Sequence, residues 1–380
     1  MKIRENVPIS ELTTMRLGGP ARYVVEVENV KDVVDACKFA EEKNLPAYPL
    51  GGGANSIGRD EGFDGVLILN RLKGIEVLDE SEDGVFVRAA GGEIWDDFVK
   101  FCCDREYSGI EAMSGIPGLV GSAPVQNIGA YGQEIANVID HVEAYDRKTG
   151  EMVVLGKDEM KMGYRTTIFN SGEDKGRYFI TAVTVELENR EFLKPPFYAS
   201  LQAYLAEQQG NTIPQTANHS LPEIEDRPYS PNELREAVLK VRGSKLPDPE
   251  TTPSAGSFFK NVYISEKEAK KAREKGLKVY EKPGSVQKDE SGTPLNFMIN
   301  SGYLIQDCGL SGKLIHGMRV NEKAALVLIN ESAKSYKDLS KARAEIRKAV
   351  KDKFGYDLEQ EPVEIGDQIQ TPVETGRESL

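Results

Sequence analysis

Apolar residues recur along the chain with two alternating periods. Tyr23 to Val27 alternate as a half-buried strand does, entered from a Gly-Gly-Pro turn. Val30, Val33, Val34, Cys37 and Ala40 then fall on one face of a helix that Asn29 can cap. Short apolar runs at 47–50 and 66–69 read as buried strands. Residues 75–78 and 85–89 form a hairpin across an acidic turn, and Trp95, Phe98, Val99 and Cys102 mark the inner face of a helix over 94–104. A second hairpin, 138–145 with 151–155, turns at Arg147-Lys148-Thr149-Gly150, and 179–188 alternates as a strand.

Beyond residue 190 the pattern thins. A short helix fits 200–208, and the polar, proline-bearing stretch 210–226 reads as a surface loop and the best candidate for mobility. Ser230-Pro231 opens a helix over 233–242 with Leu234, Val238 and Val241 inward. A charged helix follows at 265–275, then an apolar strand at 324–330. The helix over 335–354 places Leu339, Ala342, Ile346 and Val350 on one face, a strand over 358–365 closes the fold, and 366–380 is a polar, disordered tail.

Both periods fail between Glu111 and Glu134. That stretch holds five glycines, two prolines and no lysine or arginine. A core helix does not tolerate such a density of glycine and proline. A disordered linker does not carry Ile116, Leu119, Val120, Val125 and Ile128 so closely spaced. A folded loop of tight turns remains, with amides free to approach a ligand, and Gly121-Ser122 could open a helix at an anion. A second glycine cluster, Gly51-Gly52-Gly53-Ala54-Asn55-Ser56, follows the 47–50 strand. It reads equally as a hairpin turn or as a pyrophosphate cradle.

A length of 380 residues suits two or three domains, and a net charge of −13 argues against nucleic acid as a main partner. No apolar run approaches a membrane span, and the N-terminus lacks a signal-peptide core. Cys37, Cys102, Cys103 and Cys308 show no zinc spacing and read as reduced thiols, and three scattered histidines make no metal cluster. On their own residues, Ser257 in A-G-S-F-F-K-N reads as a turn serine outside any G-x-S-x-G elbow, and Arg165 in G-Y-R as a surface arginine.

G-I-P-G-L-V-G-S-A-P-V-Q-N-I-G-A-Y-G, at 115–132, resembles the central flavin loop of the UDP-N-acetylenolpyruvoylglucosamine reductases, and further matching motifs run in order from about residue 10 to 366. The resemblance implies an α+β fold: a two-part FAD-binding unit of the vanillyl-alcohol-oxidase type plus a smaller α+β substrate domain. The boundaries it suggests are 1–71 and 72–246 for the two FAD subdomains, with 356–366 returning to the second, then 247–355 for the substrate domain and 367–380 for the tail. It implies reduction of an enolpyruvyl ether on a UDP-sugar during peptidoglycan precursor synthesis. Side chains hold no hydride, so a cofactor must supply one. The family uses FAD, with NADPH as co-substrate. The implied partners are the UDP-sugar enolpyruvate and NADPH, in a cytoplasmic monomer with no metal.

Carried over by motif, Ser257 is the general acid, Arg165 holds the substrate carboxylate, and Glu361 assists the same polarisation, with Glu359 and Glu364 as the neighbouring carboxylates. The FAD positions are Gly51, Gly52, Gly53, Ala54, Asn55, Ser56, Ile116, Pro117, Gly118, Gly121, Ser122, Asn127, Ile128 and Gly129. The substrate positions are Tyr131, Tyr164, Lys245, Asn261 and Tyr280, with Tyr198 matching the tyrosine of a mobile loop in one subtype. Three departures stand out: Met298 where a lysine is common, Ala324 where histidine or glutamine is common, and Val363 in place of an arginine. Two other readings stay open: an oxidase of the same flavoprotein superfamily, and a sugar-nucleotide binder without turnover.

Overall fold

The computed structural model describes residues 1–82, 84–189, 193–194, 197–211, 223–282, 287–289 and 291–366. The core of the loop expected at 210–226, residues 212–222, and the tail 367–380 lie outside the described residues. Two compact units form: residues 1–27, 34–69 and the described residues from 246 onward make one, and the described residues of 28–33 and 70–245 the other.

The first unit opens on a strand that periodicity did not reveal, Lys2–Pro8, antiparallel to Pro20–Val27. Its exposed polar positions hide it from a hydrophobic count. Phe63–Asn70 and the parallel strand Ala47–Leu50 complete a four-stranded sheet. The helix Val30–Glu42 has its cap where expected, since Asn29 Oδ1 accepts the Asp32 N–H at 2.9 Å. Of the anticipated apolar face, Val33, Cys37 and Ala40 are buried, Ala36 joins them, and Val30 stays 39% exposed.

The same unit holds a core of Phe258, Phe259, Ile299, Leu304, Met318, Leu328 and the inner face of the helix Tyr336–Phe354. All four residues anticipated for that face are buried. Ser335 caps the helix by accepting the Asp338 N–H, and Gly355 ends it at φ 83°. The strand expected over 358–365 shrinks to Val363–Glu364, which runs parallel to Ser56–Ile57, and Gln360 bridges Phe259. Residues 363–364 thus pair with residues 56–57, at the edge of the glycine cluster. Only long-range pairing decides this, so no local pattern could show it.

Glu364 fastens that closing strand. It is 7% exposed and accepts from Arg59 at 2.6 Å, Arg343 Nη1 at 2.8 Å and Tyr336 Oη at 2.6 Å. Burial pushes its carboxyl up, but these three donors outweigh burial and hold it below the usual glutamate range.

The second unit is built on a six-stranded sheet: five strands run in the order Glu151–Gly156, Ile139–Asp146, Tyr178–Asn189, Val85–Ala90, Ile75–Glu80, and Tyr107–Ser108 pairs with the far end of Tyr178–Asn189. The central strand was expected to alternate. Instead its residues 179–185 are all buried, including Thr181, whose hydroxyl bonds the Glu143 carbonyl at 3.1 Å. Both its faces are covered, and alternation marks only strands with one wet face. The helix Trp95–Cys103 buries Trp95, Phe98, Val99 and Cys102 as the spacing required. The helix Pro231–Lys245 buries Leu234, Val238 and Val241, and a reciprocal Ser230–Glu233 pair caps its start. Among the described residues, no helix is long and apolar enough to cross a membrane.

Glu364→Ala leaves two guanidinium groups without their buried partner and should cost about 3–5 kcal/mol at neutral pH, read as a lower urea midpoint. The folded carboxyl is depressed, so its contribution is full above the ordinary glutamate value of about 4.3 and fades as pH falls below it. The gap between variant and parent should therefore close in acid.

Candidate active site

In the first unit, the candidate residues gather where the closing segment lies beside the strand Ser254–Ser257. That strand bulges between Ser254 and Ser257, with Gly256 at φ 66°. A bulge re-aims the side chain that follows it. Phe258 and Phe259, just beyond, are fully buried and meet edge to face at 5.1 Å, which anchors Ser257 to the core while leaving it half-exposed. The Phe258 N–H bonds Leu326 O at 2.7 Å on one side, and Phe258 O accepts the Glu361 N–H at 2.9 Å on the other. Ser257 and Glu361 therefore stand on hydrogen-bonded neighbouring segments.

The three carboxylates of this segment now separate by environment. Glu359 is exposed and pairs with Lys260 at 2.5 Å, and Glu364 is consumed by the buried network described above. Glu361, half-buried beside the Ser257 strand, is the one placed near it.

The glycine cluster reaches the same strand through Thr14. The Thr14 N–H bonds Gly53 O at 3.2 Å, its carbonyl accepts from Ser254 N at 3.1 Å, and its hydroxyl donates to Ser254 O at 2.6 Å. Gly53 has φ 67°, and a β-carbon there would collide with the Leu12 carbonyl oxygen and come within 2.8 Å of the Thr13 α-carbon. Glycine is obligatory at 53 because the chain crosses its own backbone there.

Asn261 leads into the strand Val262–Ile264 and accepts the Ser301 N–H at 3.2 Å. Tyr280 pairs with Met298 in the same three-stranded sheet and is 40% exposed, with Lys278 Nζ 5.2 Å from its ring centre. Met298 is 9% exposed, so the position where a lysine is common is an apolar core position in this chain. Ala324 caps the turn before the strand Val327–Asn330, its carbonyl taking the Val327 N–H at 2.9 Å.

In the second unit, the glycine-rich loop is a chain of 3-10 turns, including Val120–Ser122 and Pro124–Gln126, and not the opening of an α-helix. Its glycines do different work. A β-carbon at Gly121 would lie 3.0 Å from the Gly91 α-carbon, so this glycine lets two backbone segments touch. At Gly118, φ is 134° and a β-carbon would meet nothing within 4 Å. Open space therefore adjoins the Gly118 α-carbon, whose carbonyl meanwhile accepts the Trp95 N–H at 3.0 Å. Ile116, Pro117, Ser122, Ile128 and Gly129 belong to the same loop segment.

Helices fix this loop from behind. Trp95 Nε1 donates to Met113 O at 3.0 Å, and Asp96 accepts the Gly115 N–H at 2.6 Å while taking the Arg235 fork at 2.6 and 2.8 Å. Burial pushes Asp96 up, but the Arg235 bonds and the Gly115 amide outweigh it and hold the carboxyl below its usual value. Arg242, which motif reasoning passed over, bonds Gly115 O at 3.1 Å. Burial pulls its guanidinium below the ordinary arginine value against the opposing influence of Tyr131 and Asp96. Its signal in the sequence was one more arginine on a polar-edged helix, which carries no information about depth.

Tyr131 and Gly132 form the tip of the hairpin Gly129–Ala130 with Gln133–Glu134, both with positive φ, as a two-residue turn of the I′ kind requires. The Tyr131 ring meets Tyr198 edge to face at 5.7 Å, and Tyr198 is 54% exposed at the start of the helix Ala199–Gln208. Burial raises the Tyr131 phenol above its ordinary value. Arg165 stands beside the glycine-rich loop, its Nη1 donating to Asn127 O at 3.3 Å and its guanidinium 5.6 Å from the Tyr164 ring centre. Asn127 itself is spent on structure: it is 3% exposed, at φ 48°, and bonds Glu134, Gly163 O and Ala136 N. Lys245 is exposed at the end of its helix. Among the described residues, no group of three or more histidine, cysteine or acidic side chains could hold a metal ion.

Two family profiles match the chain: the FAD binding domain over residues 21–156, and the UDP-N-acetylenolpyruvoylglucosamine reductase C-terminal domain over residues 248–365. The UDP-N-acetylenolpyruvoylglucosamine reductase of Bdellovibrio bacteriovorus is 33% identical over 96% of this chain and 99% of its own length. That of Thermobifida fusca is 34% identical over 95% of this chain and 97% of its own. The crystal structure of the UDP-N-acetylenolpyruvylglucosamine reductase from Thermus caldophilus shares the fold, with a TM-score of 0.59 at 22% identity, covering 96% of this chain and 99% of that one.

The two glycine positions predict unequal costs for the same substitution. Gly118→Ala should cost only backbone strain, about 1–3 kcal/mol. Gly53→Ala adds a backbone collision and should lower the thermal unfolding midpoint by several degrees more; equal shifts would contradict the crossing at Leu12.

Proposed function

The chain belongs to the UDP-N-acetylenolpyruvoylglucosamine reductase family, and on that premise we propose that it reduces UDP-N-acetylglucosamine enolpyruvate to UDP-N-acetylmuramate with NADPH, for peptidoglycan precursor synthesis. It is an FAD-dependent oxidoreductase. The single observation that carries the residue assignment is the bond from Glu361 N–H to Phe258 O, which sets Ser257 and Glu361 on adjoining segments.

The residues fit an FAD molecule in kind. Main-chain amides of the 51–56 loop suit a diphosphate, and the open backbone at Gly118 suits a flat ring. When bound, FAD carries the hydride that NADPH delivers and the enolpyruvyl double bond accepts at its terminal carbon. The chain's own groups do the rest. Arg165 grips the substrate carboxylate with its fork, which favours the charge that develops there as the double bond is reduced. The Glu361 carboxyl aids the same polarisation. Ser257 Oγ delivers a proton to the carbon bearing the carboxylate. A hydroxyl is a weak acid, so this works only against a strongly basic carbon and from a fixed position, which the bulge and the buried Phe258-Phe259 pair provide.

Tyr131, Tyr164, Tyr198, Lys245, Asn261 and Tyr280 are assigned to the UDP-sugar. The exposed Tyr198 ring, resting on Tyr131, is suited to swing onto a bound nucleotide. The buried Met298 supplies no charge to the diphosphate, so that task passes to exposed cations such as Lys245 and Lys313. The use of a nucleotide substrate and NADPH suits a cytoplasmic enzyme.

Purified protein should be yellow and should release FAD on denaturation; a colourless preparation that FAD cannot reconstitute would refute the cofactor. NADPH should bleach the flavin, and the enolpyruvyl sugar should restore its colour. Ser257→Ala should leave the bleaching step near normal and slow the recovery by more than the roughly 10²–10⁴-fold usual for one acid–base group. Equal loss in both steps would remove Ser257 from its role.

A further inference from the structure

Arg165 occupies a position that arginine does not favour. Its φ is 55°, in the left-handed region. The Thr166 N–H bonds Gly163 O at 3.3 Å and the Gly163 N–H bonds Thr166 O at 2.8 Å, so Tyr164 and Arg165 form the centre of a tight turn. Among the two, only Arg165 has positive φ, the pattern of a type II turn, whose third position normally takes glycine or asparagine. A residue of this kind stays in such a conformation only where its surroundings over-determine it.

One side chain spans the strained turn. Asn170 Nδ2 donates to the Arg165 carbonyl at 3.0 Å, while Asn170 Oδ1 accepts the Thr167 N–H at 2.9 Å. Donor and acceptor of one planar amide thus hold both ends of the Arg165–Thr167 segment. Rotating φ of Arg165 back to a negative value carries its carbonyl away from Nδ2, so the bond opposes relaxation. Thr167 ties the far side of the segment to the glycine-rich loop through its hydroxyl on Val125 O, at 2.7 Å. Asn127 ties the near side, donating to Gly163 O at 3.1 Å and accepting Arg165 Nη1 on its own carbonyl.

We infer that Asn170 is a positioning residue for the carboxylate-binding arginine: its amide holds Arg165 in the left-handed conformation that directs the guanidinium along the glycine-rich loop. This rests on the role proposed for Arg165. A displaced fork still binds a carboxylate but no longer matches the reacting geometry, and a misplacement near 1 Å can cost about 100-fold in rate.

The test has two arms. In the first, a crystal structure of Asn170→Ala should show Arg165 outside the left-handed region and its guanidinium off Asn127 O. Retention of both features would overturn the inference, whatever the substrate proves to be. In the second, Asn170→Ala should lower kcat for the enolpyruvyl sugar about 10- to 100-fold while NADPH-driven flavin bleaching is unchanged. Asn170→Asp, which keeps the acceptor for Thr167 but loses the donor, should fall as far. In an Arg165→Ala background, Asn170→Ala should change kcat less than about twofold, because residues acting through one group are not additive. Additive losses, or equal slowing of both half-reactions, would make Asn170 merely structural. A parent protein that never turns over the enolpyruvyl sugar would refute the proposed function instead, and the crystallographic arm would still decide the role of Asn170.

Discussion

The first unit depends on a strand that arrives last. Val363–Glu364 pairs with Ser56–Ile57, and residues 359–361 lie against 258–260, so a segment near the end of the chain completes both the glycine-cluster region and the strand that presents Ser257. Glu364 makes this pairing selective. A carboxylate taken out of water is costly unless its oxygens are met, and here Arg59, Arg343 and Tyr336 meet them from a loop and a helix at once. A one-residue slip would bury Val363 in place of Glu364 and leave two guanidinium groups facing nothing. Arg343 extends the same control along the strand by donating to Gln360 Oε1 at 2.5 Å, one residue from Glu361.

The second unit solves a different problem, that of holding a loop with little regular structure. Its glycine-rich segment gains rigidity from side chains aimed at its main chain: Trp95 on Met113, Asp96 on Gly115, Arg242 on Gly115, Asn127 on three partners. Such bonds consume the polar groups that a buried loop would otherwise leave unmet. Open space remains beside the Gly118 α-carbon, while its carbonyl accepts the Trp95 N–H at 3.0 Å.

Strain collects in the same places. Tyr131, Asn127 and Arg165 all have positive φ, and each lies in or against the glycine-rich loop. Asparagine tolerates that conformation well; tyrosine and arginine do so only under restraint. Local hydrogen bonding, by Asn170 above all, supplies the restraint for Arg165. A strained polar residue beside open backbone is the arrangement that binding sites use to keep a side chain ready before a ligand arrives.

What the sequence by itself determined is mostly local. The inner faces of the helices at 95–103 and 336–354, the Asn29 and Ser230 caps, and the failure of periodicity at 111–134 all follow from spacing within a few residues, because side chains three or four apart share a helix face. Motif resemblance carried the family and the FAD requirement. The tertiary structure decided the rest: that the strand Lys2–Pro8 exists, that residues 363–364 pair with residues 56–57, that Met298 is core, that Gly121 serves packing while Gly118 opens to space, and that Arg242 and Asn170 matter. Each of these depends on groups far apart in the chain or on which side of a turn faces water. Such relations are fixed by long-range burial and pairing, and a one-dimensional pattern holds no record of them.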